Sequence, residues 1–504
     1  MKTNIKILLL TALIGFSSCN QWLDVIPENE QVADEYWKNK EQVEAIIAAI
    51  YIKYRTTVKD QIVWGEDRAN SIAPNIVGGD ELDIMRWNIL PDNEYCRWGK
   101  WYQIINLCNM VIRYAPGVAD PSFPEEAKNA TVAEATYLRA LAYFFLVRNF
   151  RDVPLILEPY MNDSQNYEIP KSPESEIWAQ IKADLLFAEQ NIKDSYSASE
   201  PWMNKGRATR LAVKATMADV YLWTEEYDKA IIACNDIIGS GKVGLIQGLT
   251  GENENNWFTL FNPGNSNESI FELQWDNSQG QSNSSLYNMF NGTSYDYQIS
   301  MTLYMKYLRS YNDIRGLNAT YTTMPALKVW KYIGSNAGNH LLATEVGAER
   351  TSGEQDQNWI MYRFADVLLM KTEALVMKEP GNQTNYAEAV DIVNSIRERA
   401  QVTNLITDIP QTEQEMLELV MDERSLELAI EGKRWYDLLR VGKRNNYQYL
   451  NYMIDEVLKN ITPEKALIVQ SILRNKDSHY LPIHFDELTN NKNLIQNPYY
   501  ESLK

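Results

Sequence analysis

The sequence predicts a mostly α protein: an irregular tetratricopeptide-like helical scaffold with a long loop-rich insertion and a few short strands. Three observations predict it. Segments with small residues set against aromatics recur along the chain, helical periodicity fades between Gly239 and Asn358, and a densely charged amphipathic stretch follows near the C-terminus. At 504 residues, 45% hydrophobic and 23% charged, the chain has the composition of an ordinary globular protein. A net charge of −19 argues against nucleic-acid binding, which needs a basic footprint.

Taken in order, the chain opens on a targeting segment. Lys2 and Lys6 precede an apolar run, Ile7 to Phe16, too short to span a bilayer. Phe16-Ser17-Ser18-Cys19 reads as a lipoprotein processing box, so Cys19 is expected to become the lipidated N-terminal residue. No later stretch reads as long and apolar enough to cross a membrane, which predicts a chain anchored to the membrane instead of spanning it. Residues 20–38 read as a tether and first docking segment. Asn39 then caps a helix, with Gln42 three residues on and Val43, Ile46, Ile47, Ile50 and Tyr54 along one face. Trp64 to Asp92, with Pro74, Gly78, Gly79 and Pro91, reads as loop. Trp98, Trp101, Ile105, Cys108 and Ile112 step by three and four along a second helix.

Two helix pairs carry the repeat pattern. Ala215 to Leu222 runs into Tyr227-Asp228-Lys229-Ala230-Ile231, and Lys371 to Leu375 is followed by Tyr386 to Val390. The small Ala218, Ala230, Ala374 and Ala389 let partner helices approach closely, and each pair buries its apolar face only by stacking on a neighbour. Leu138 to Tyr143 is a third match without an immediate second helix. In the insertion, Ile270 to Trp275 is the best strand, and Gly, Asn and Ser dominate Gly251 to Thr293.

Leu417, Val420, Leu428, Trp435 and Leu438 recur at near-helical spacing, so the stretch through Arg440 reads as an amphipathic helix that ends or bends at Gly432. Glu423, Glu427 and Glu431 stack at four-residue spacing and repel unless bases such as Arg424 and Arg434 bridge them. A structural salt-bridge network explains this density better than acid–base chemistry does.

The chemistry of catalysis is not legible. There are three histidines, no HExxH, no GxSxG and no GxxxxGK[ST]. Gly239-Ser240-Gly241-Lys242-Val243-Gly244 follows a helix instead of a strand, so the dinucleotide reading lacks its context. Cys96, Cys108 and Cys234 have neither zinc nor disulfide-framework spacing, and Asp80-Glu81-Leu82-Asp83 lacks the spacing of a calcium loop. No metal, cofactor or catalytic residue is therefore expected.

The charged stretch Glu423-Arg424-x-x-Glu427-Leu428-x-x-Glu431-Gly432-x-Arg434-Trp435-x-Asp437-Leu438-x-Arg440 resembles the SusD/RagB family. So do Arg363 to Leu369, Leu481-Pro482-Ile483, Asn493 to Pro498 and Cys19 to Asp24. The resemblance implies a signal peptide over 1–18, an N-terminal region over 19–240 with tetratricopeptide-like helices, and a C-terminal region over 241–504, loop-rich to 358 and helical from 359. It also implies a non-enzymatic lipoprotein of the outer-membrane surface that captures oligosaccharide, or in some members peptide. The captured ligand passes to a SusC-like TonB-dependent transporter. A repeat scaffold that binds proteins and a surface glycosidase with a carboxylate pair are the other readings.

The positive sign of a ligand site is aromatic. The chain has 14 Trp and 30 Tyr, and a flat ring covers the apolar face of a sugar while polar side chains satisfy its hydroxyls. Trp64, Trp87, Trp275, Tyr295, Tyr297 and Trp330 lie in the expected loops, with Asp67 and Arg68 beside them. These eight residues are the expected ligand-binding set, on loops from Trp64 to Trp98 and from Trp257 to Trp330.

Overall fold

A computed structural model describes residues 36–501 apart from 77, 162–164, 252–253 and 292–295. The targeting segment, Cys19, the tether up to residue 35 and Tyr295 lie outside the described residues.

The scaffold is a row of stacked helices. α1 (Lys40–Arg55) starts where the Asn39 side chain accepts from the Gln42 amide at 3.0 Å, and it buries Val43, Ile47, Ile50 and Tyr54. α2 (Gly99–Tyr114) buries Trp101, Ile105 and Cys108. α3 (Glu125–Phe150) is apolar all round, and every residue from Ala130 to Phe150 is buried. Its length and composition would suffice to cross a membrane, contrary to the sequence expectation. It lies instead inside the protein, where Arg139 is paired with Asp184 at 2.8 Å and Glu134 with Arg207 at 2.5 Å.

α4 (Glu174–Asn191) packs on α3 and is the partner helix that the Leu138–Tyr143 segment lacked in the sequence. α5 (Arg210–Trp223) pairs with α6 (Tyr227–Gly239), and α7 (Phe364–Lys378) with α8 (Gln383–Arg399). Ala218, Ala230, Ala374 and Ala389 are fully buried between these helices, as small residues at a close approach must be. α6 stacks on α7, which joins the pairs into one row.

The charged stretch is two helices, α9 (Glu413–Glu427) and α10 (Arg434–Tyr447). The break between them takes Ile430 and Gly432 to φ +62° and +71°, so the bend expected at Gly432 is a full interruption. The row of carboxylates is bridged by bases from elsewhere, which corrects the expectation for Arg424 and Arg434. Glu427 meets Arg363 at 2.5 Å and Arg315 at 2.8 Å, and Glu423 meets Arg315 and Arg397. Glu431 meets Arg363 and Lys331, and Arg363 and Arg399 both reach Glu268 at 2.8 Å. Arg424 turns instead to Asp437 and Asp366, and Arg434 to Glu456 and Asn70.

The two stretches expected to be loops are more ordered than their composition suggests. Val63–Asp67 is a π-helical turn, β1 spans Ile72–Pro74, and a helix covers Gly79–Met85. β2 (Ser269–Leu273) confirms the strand, β3 spans Tyr297–Ile299, and β4 spans Trp359–Arg363. β2 pairs antiparallel with β4, and β1 with β3 in the register Ile72 to Ile299. The insertion is thus sewn into the body, and one apolar cluster runs from Val43 to Tyr500.

Candidate functional site

Most of the expected ligand-binding side chains are buried. Trp64 is 1% exposed, stacks on Trp101 at 5.2 Å and donates its ring N–H to the Tyr95 carbonyl. Trp330 is 2% exposed and donates to the Asn336 carbonyl. Trp87 meets the Trp435 ring edge-on, and the Arg68 guanidinium lies 4.6 Å from the centroid of that same ring. The two terminal nitrogens of Arg68 donate to the His479 carbonyl and to Asn149 Oδ1. Asp67 accepts from the Tyr297 hydroxyl at 3.1 Å, both groups buried. Burial pushes the Asp67 carboxyl well up. The structure does bring the two expected stretches together, through the β1–β3 ribbon and the Asn75 amide donating to the Asp296 carbonyl at 2.8 Å. Among the described residues, the expected rings near that junction, Trp64, Tyr297 and Trp330, are buried. Among the described members of the set, Trp275 alone is half-exposed.

Trp275 stands just past the end of β2, its backbone amide donating to Asn358 Oδ1 at 3.3 Å. It opens onto a groove formed where the last turn of α1 faces the insertion. The groove has two adjoining compartments, of about 340 Å3 and 270 Å3, which share Ile52, Arg55 and Gln281. Trp275 lines the first compartment and Trp202, 49% exposed, the second. The Arg55 guanidinium sits 5.4 Å from the Trp275 ring centroid and donates to Gln281 Oε1 at 2.9 Å. Burial lowers the Arg55 pKa, yet a guanidinium so placed remains a fixed cationic donor. Ile52 is exposed on the side of α1 opposite the core face.

The groove therefore offers two aromatic surfaces, a guanidinium and an amide at one junction, on a helix end and a strand end held by the core. Rings can cover apolar C–H faces, while Arg55 and Gln281 can satisfy hydroxyls. Among the described residues its lining holds a single carboxylate, Glu44, which is paired with Arg207 at 3.0 Å. Among the described residues no group of three or more His, Cys, Asp or Glu side chains is placed to hold a metal. Asp80, Glu81 and Asp83 lie on the short helix Gly79–Met85, with Glu81 paired to Lys59 at 2.6 Å.

Arg55, Gln281 and Trp202 were not singled out from the sequence. The signal for Arg55 was available: with Val43, Ile47, Ile50 and Tyr54 assigned to the core, Ile52 and Arg55 fall on the outward faces of the helix.

Scaffold and groove define the class: a tetratricopeptide-like helical protein whose insertion builds an open aromatic groove against the end of the first helix. Residues 255–500 match the SusD family, and residues 21–222 match a family described as starch-binding, associating with outer membrane. The SusD-like protein P38 of Formosa agariphila is 26% identical, over 87% of this chain and 91% of that one. A SusD-like protein of Bacteroides ovatus is 25% identical, over 91% and 88%. The fold is also that of solved structures. A laminarin binding SusD-like protein has a TM-score of 0.68 at 23% identity, covering 92% of this chain and 100% of that one. A putative sugar binding protein from Bacteroides vulgatus has a TM-score of 0.70 at 22% identity, covering 92% and 99%. The chain belongs to the SusD/RagB family.

Proposed function

We propose that this protein is a surface lipoprotein of the outer membrane, held by acyl chains on Cys19, that binds a neutral oligosaccharide in the Trp275–Trp202 groove. It passes the ligand uncleaved to a SusC-like TonB-dependent transporter. The observation that carries the reading is Arg55 set against the Trp275 ring and tied to Gln281, with a second exposed indole in the adjoining compartment. Two ring surfaces on one groove suit a chain of sugar units. Capture without hydrolysis is supported by the lining, where among the described residues the one carboxylate, Glu44, is already paired, whereas general acid–base cleavage uses two. The solved laminarin binding relative supports a glycan over a peptide as cargo.

Calorimetry against a panel of neutral β- and α-glucans, with oligopeptides in parallel, tests this reading. Trp275→Ala and Trp202→Ala should each weaken glycan binding about tenfold while the protein stays folded. Unaltered affinity in both variants, release of shorter products, or binding of peptides alone would overturn it. Cys19→Ala should shift the protein from the membrane to the soluble fraction, since anchoring here depends on acyl chains.

A further inference from the structure

A second cleft lies apart from the groove and shares no lining residue with it. It has a volume of about 440 Å3, within the range of small-molecule sites. Three parts of the chain build it: the first half of α2 with Trp98, residues between Pro154 and Tyr160 together with Tyr167 and Ile169, and the C-terminal segment 487–494. Its walls carry Trp98, Tyr102, Tyr160 and Tyr167, the last two stacked at 4.5 Å with 19° between planes and Tyr167 half-exposed. Each wall is pinned by side chains from another. The Tyr102 hydroxyl donates to the Pro154 carbonyl at 2.7 Å. Asn106 exchanges two hydrogen bonds with the main chain of Tyr160, and Asn491 donates to the Ile169 carbonyl at 2.8 Å. The cleft is therefore preformed, and a ligand would order little on entering.

We propose that this cleft is a second carbohydrate site, taking one or two neutral sugar rings. Tyr102, Tyr160 and the more exposed Tyr167 offer ring surface to the C–H faces of a pyranose, over a buried Trp98, and Glu487 and Asn490 on the C-terminal wall are placed to meet hydroxyls. Among the described residues no lysine or arginine lines the cleft and Glu487 is the one charged side chain in it, which disfavours anionic glycans. Glu487 is hydrogen-bonded to Trp98, and burial raises its pKa, so the cleft also disfavours leaving that carboxylate without donors. A second site would let the protein hold a branched or long glycan at two points, or retain a terminal sugar while the groove releases the rest.

The test is saturation-transfer NMR on the full soluble domain with maltose, cellobiose and laminaribiose as probes, using Trp275→Ala so that the groove is weakened. At least one disaccharide should bind saturably to this protein. Adding Tyr167→Ala should weaken that binding about tenfold. Because Tyr167→Ala also removes the partner of Tyr160, Leu494→Trp serves as a second variant; it adds bulk to the C-terminal part of the lining, substitutes neither member of the stacked pair, and should abolish binding. Absence of disaccharide binding in Trp275→Ala, or binding unaltered by both cleft substitutions, overturns the proposal. Neither outcome bears on the groove, whose own test uses Trp275 and Trp202 in the wild-type cleft background.

Discussion

At the scale of single residues, what sets this protein apart is buried charge. Glu268, Asp313, Glu423, Glu427 and Glu431 face Arg315, Lys331, Arg363, Arg397 and Arg399, five carboxylates against five cations with most of them fully buried. Burial pushes the Glu427 carboxyl up, but Arg399, Arg363 and Arg315 together hold it well below the usual range. Such a cage contributes little if formed from nothing, since desolvation offsets most of the attraction, but removing one member strands the rest. Arg363 touches Glu268, Glu427 and Glu431 at once. Arg363→Ala should therefore cost about 3–5 kcal/mol in urea unfolding, far more than Arg309→Ala, whose exposed bridge to Asp422 is worth under about 1 kcal/mol. Equal losses in the two variants would show the cage to be energetically idle. The same logic separates the tryptophans: Trp64→Ala should destabilise by about 3–5 kcal/mol, as removal of a buried ring does, and leave glycan affinity of the folded protein unchanged.

At the scale of elements, the joint between the π-helical turn and the α9–α10 break holds the two ends of the chain together. A Cβ on Gly65 would stand 2.1 Å from the Gly432 carbonyl oxygen, and Glu66 Oε1 accepts from the Gly432 and Lys433 amides at 2.8 and 3.1 Å. Backbone on backbone leaves nothing flexible to move. Gly65→Ala should lower stability by at least about 2 kcal/mol and Gly432→Ala by a similar amount, because its φ of +71° disfavours a side chain. Gly78→Ala, which meets no neighbour, is the control in a thermal melt. Local elements of this kind were legible in part. The cap of α1, the buried faces of α1 and α2 and the small-residue contacts of α5 to α8 follow from spacing that neighbours along one helix enforce. The break between α9 and α10 was marked by Gly432. The loops were misread because composition reports polarity and turn propensity but not long-range pairing: β1 with β3 joins residues more than 200 positions apart. For the same reason Trp64, Trp87, Tyr297 and Trp330 gave the signature of a ligand surface although their side chains lie in the core. Trp275 differs from them only in standing past a strand end, which no residue pattern announces.

At the scale of the whole molecule, the buried acids divide into two sets with opposite responses to pH. Burial alone would raise Glu373, but Arg440 and Arg444 outweigh it and hold it at about 2 against an ordinary value of 4.5. A carboxyl depressed in the fold contributes stability that is present above 4.5 and lost as pH falls toward 2, for Glu373 roughly 3 kcal/mol. Glu427, Glu431 and Asp366 are depressed as well and act in the same direction. Burial also holds His479 near 4, neutral with its ring nitrogen bonded to the Leu473 carbonyl, so its contribution is lost as pH falls below 6.5. Glu66 is the opposite case. Burial raises it to about 7 despite the amides that donate to it, so its contribution is complete below 4.5 and disappears as pH rises through 7. Stability should therefore collapse below about pH 4 and also decline on the neutral side, with Glu66 responsible for up to about 3 kcal/mol of that decline by pH 8. Glu66→Gln keeps an acceptor for the Gly432 and Lys433 amides and removes the titration. Urea midpoints measured from pH 3 to pH 9 should show the variant and parent alike near pH 4 and separating above pH 5, with the variant the more stable at pH 8. Parallel curves across the whole range would mean that the fold leaves the Glu66 pKa at its ordinary value, and that the joint it caps tolerates a buried charge at neutral pH.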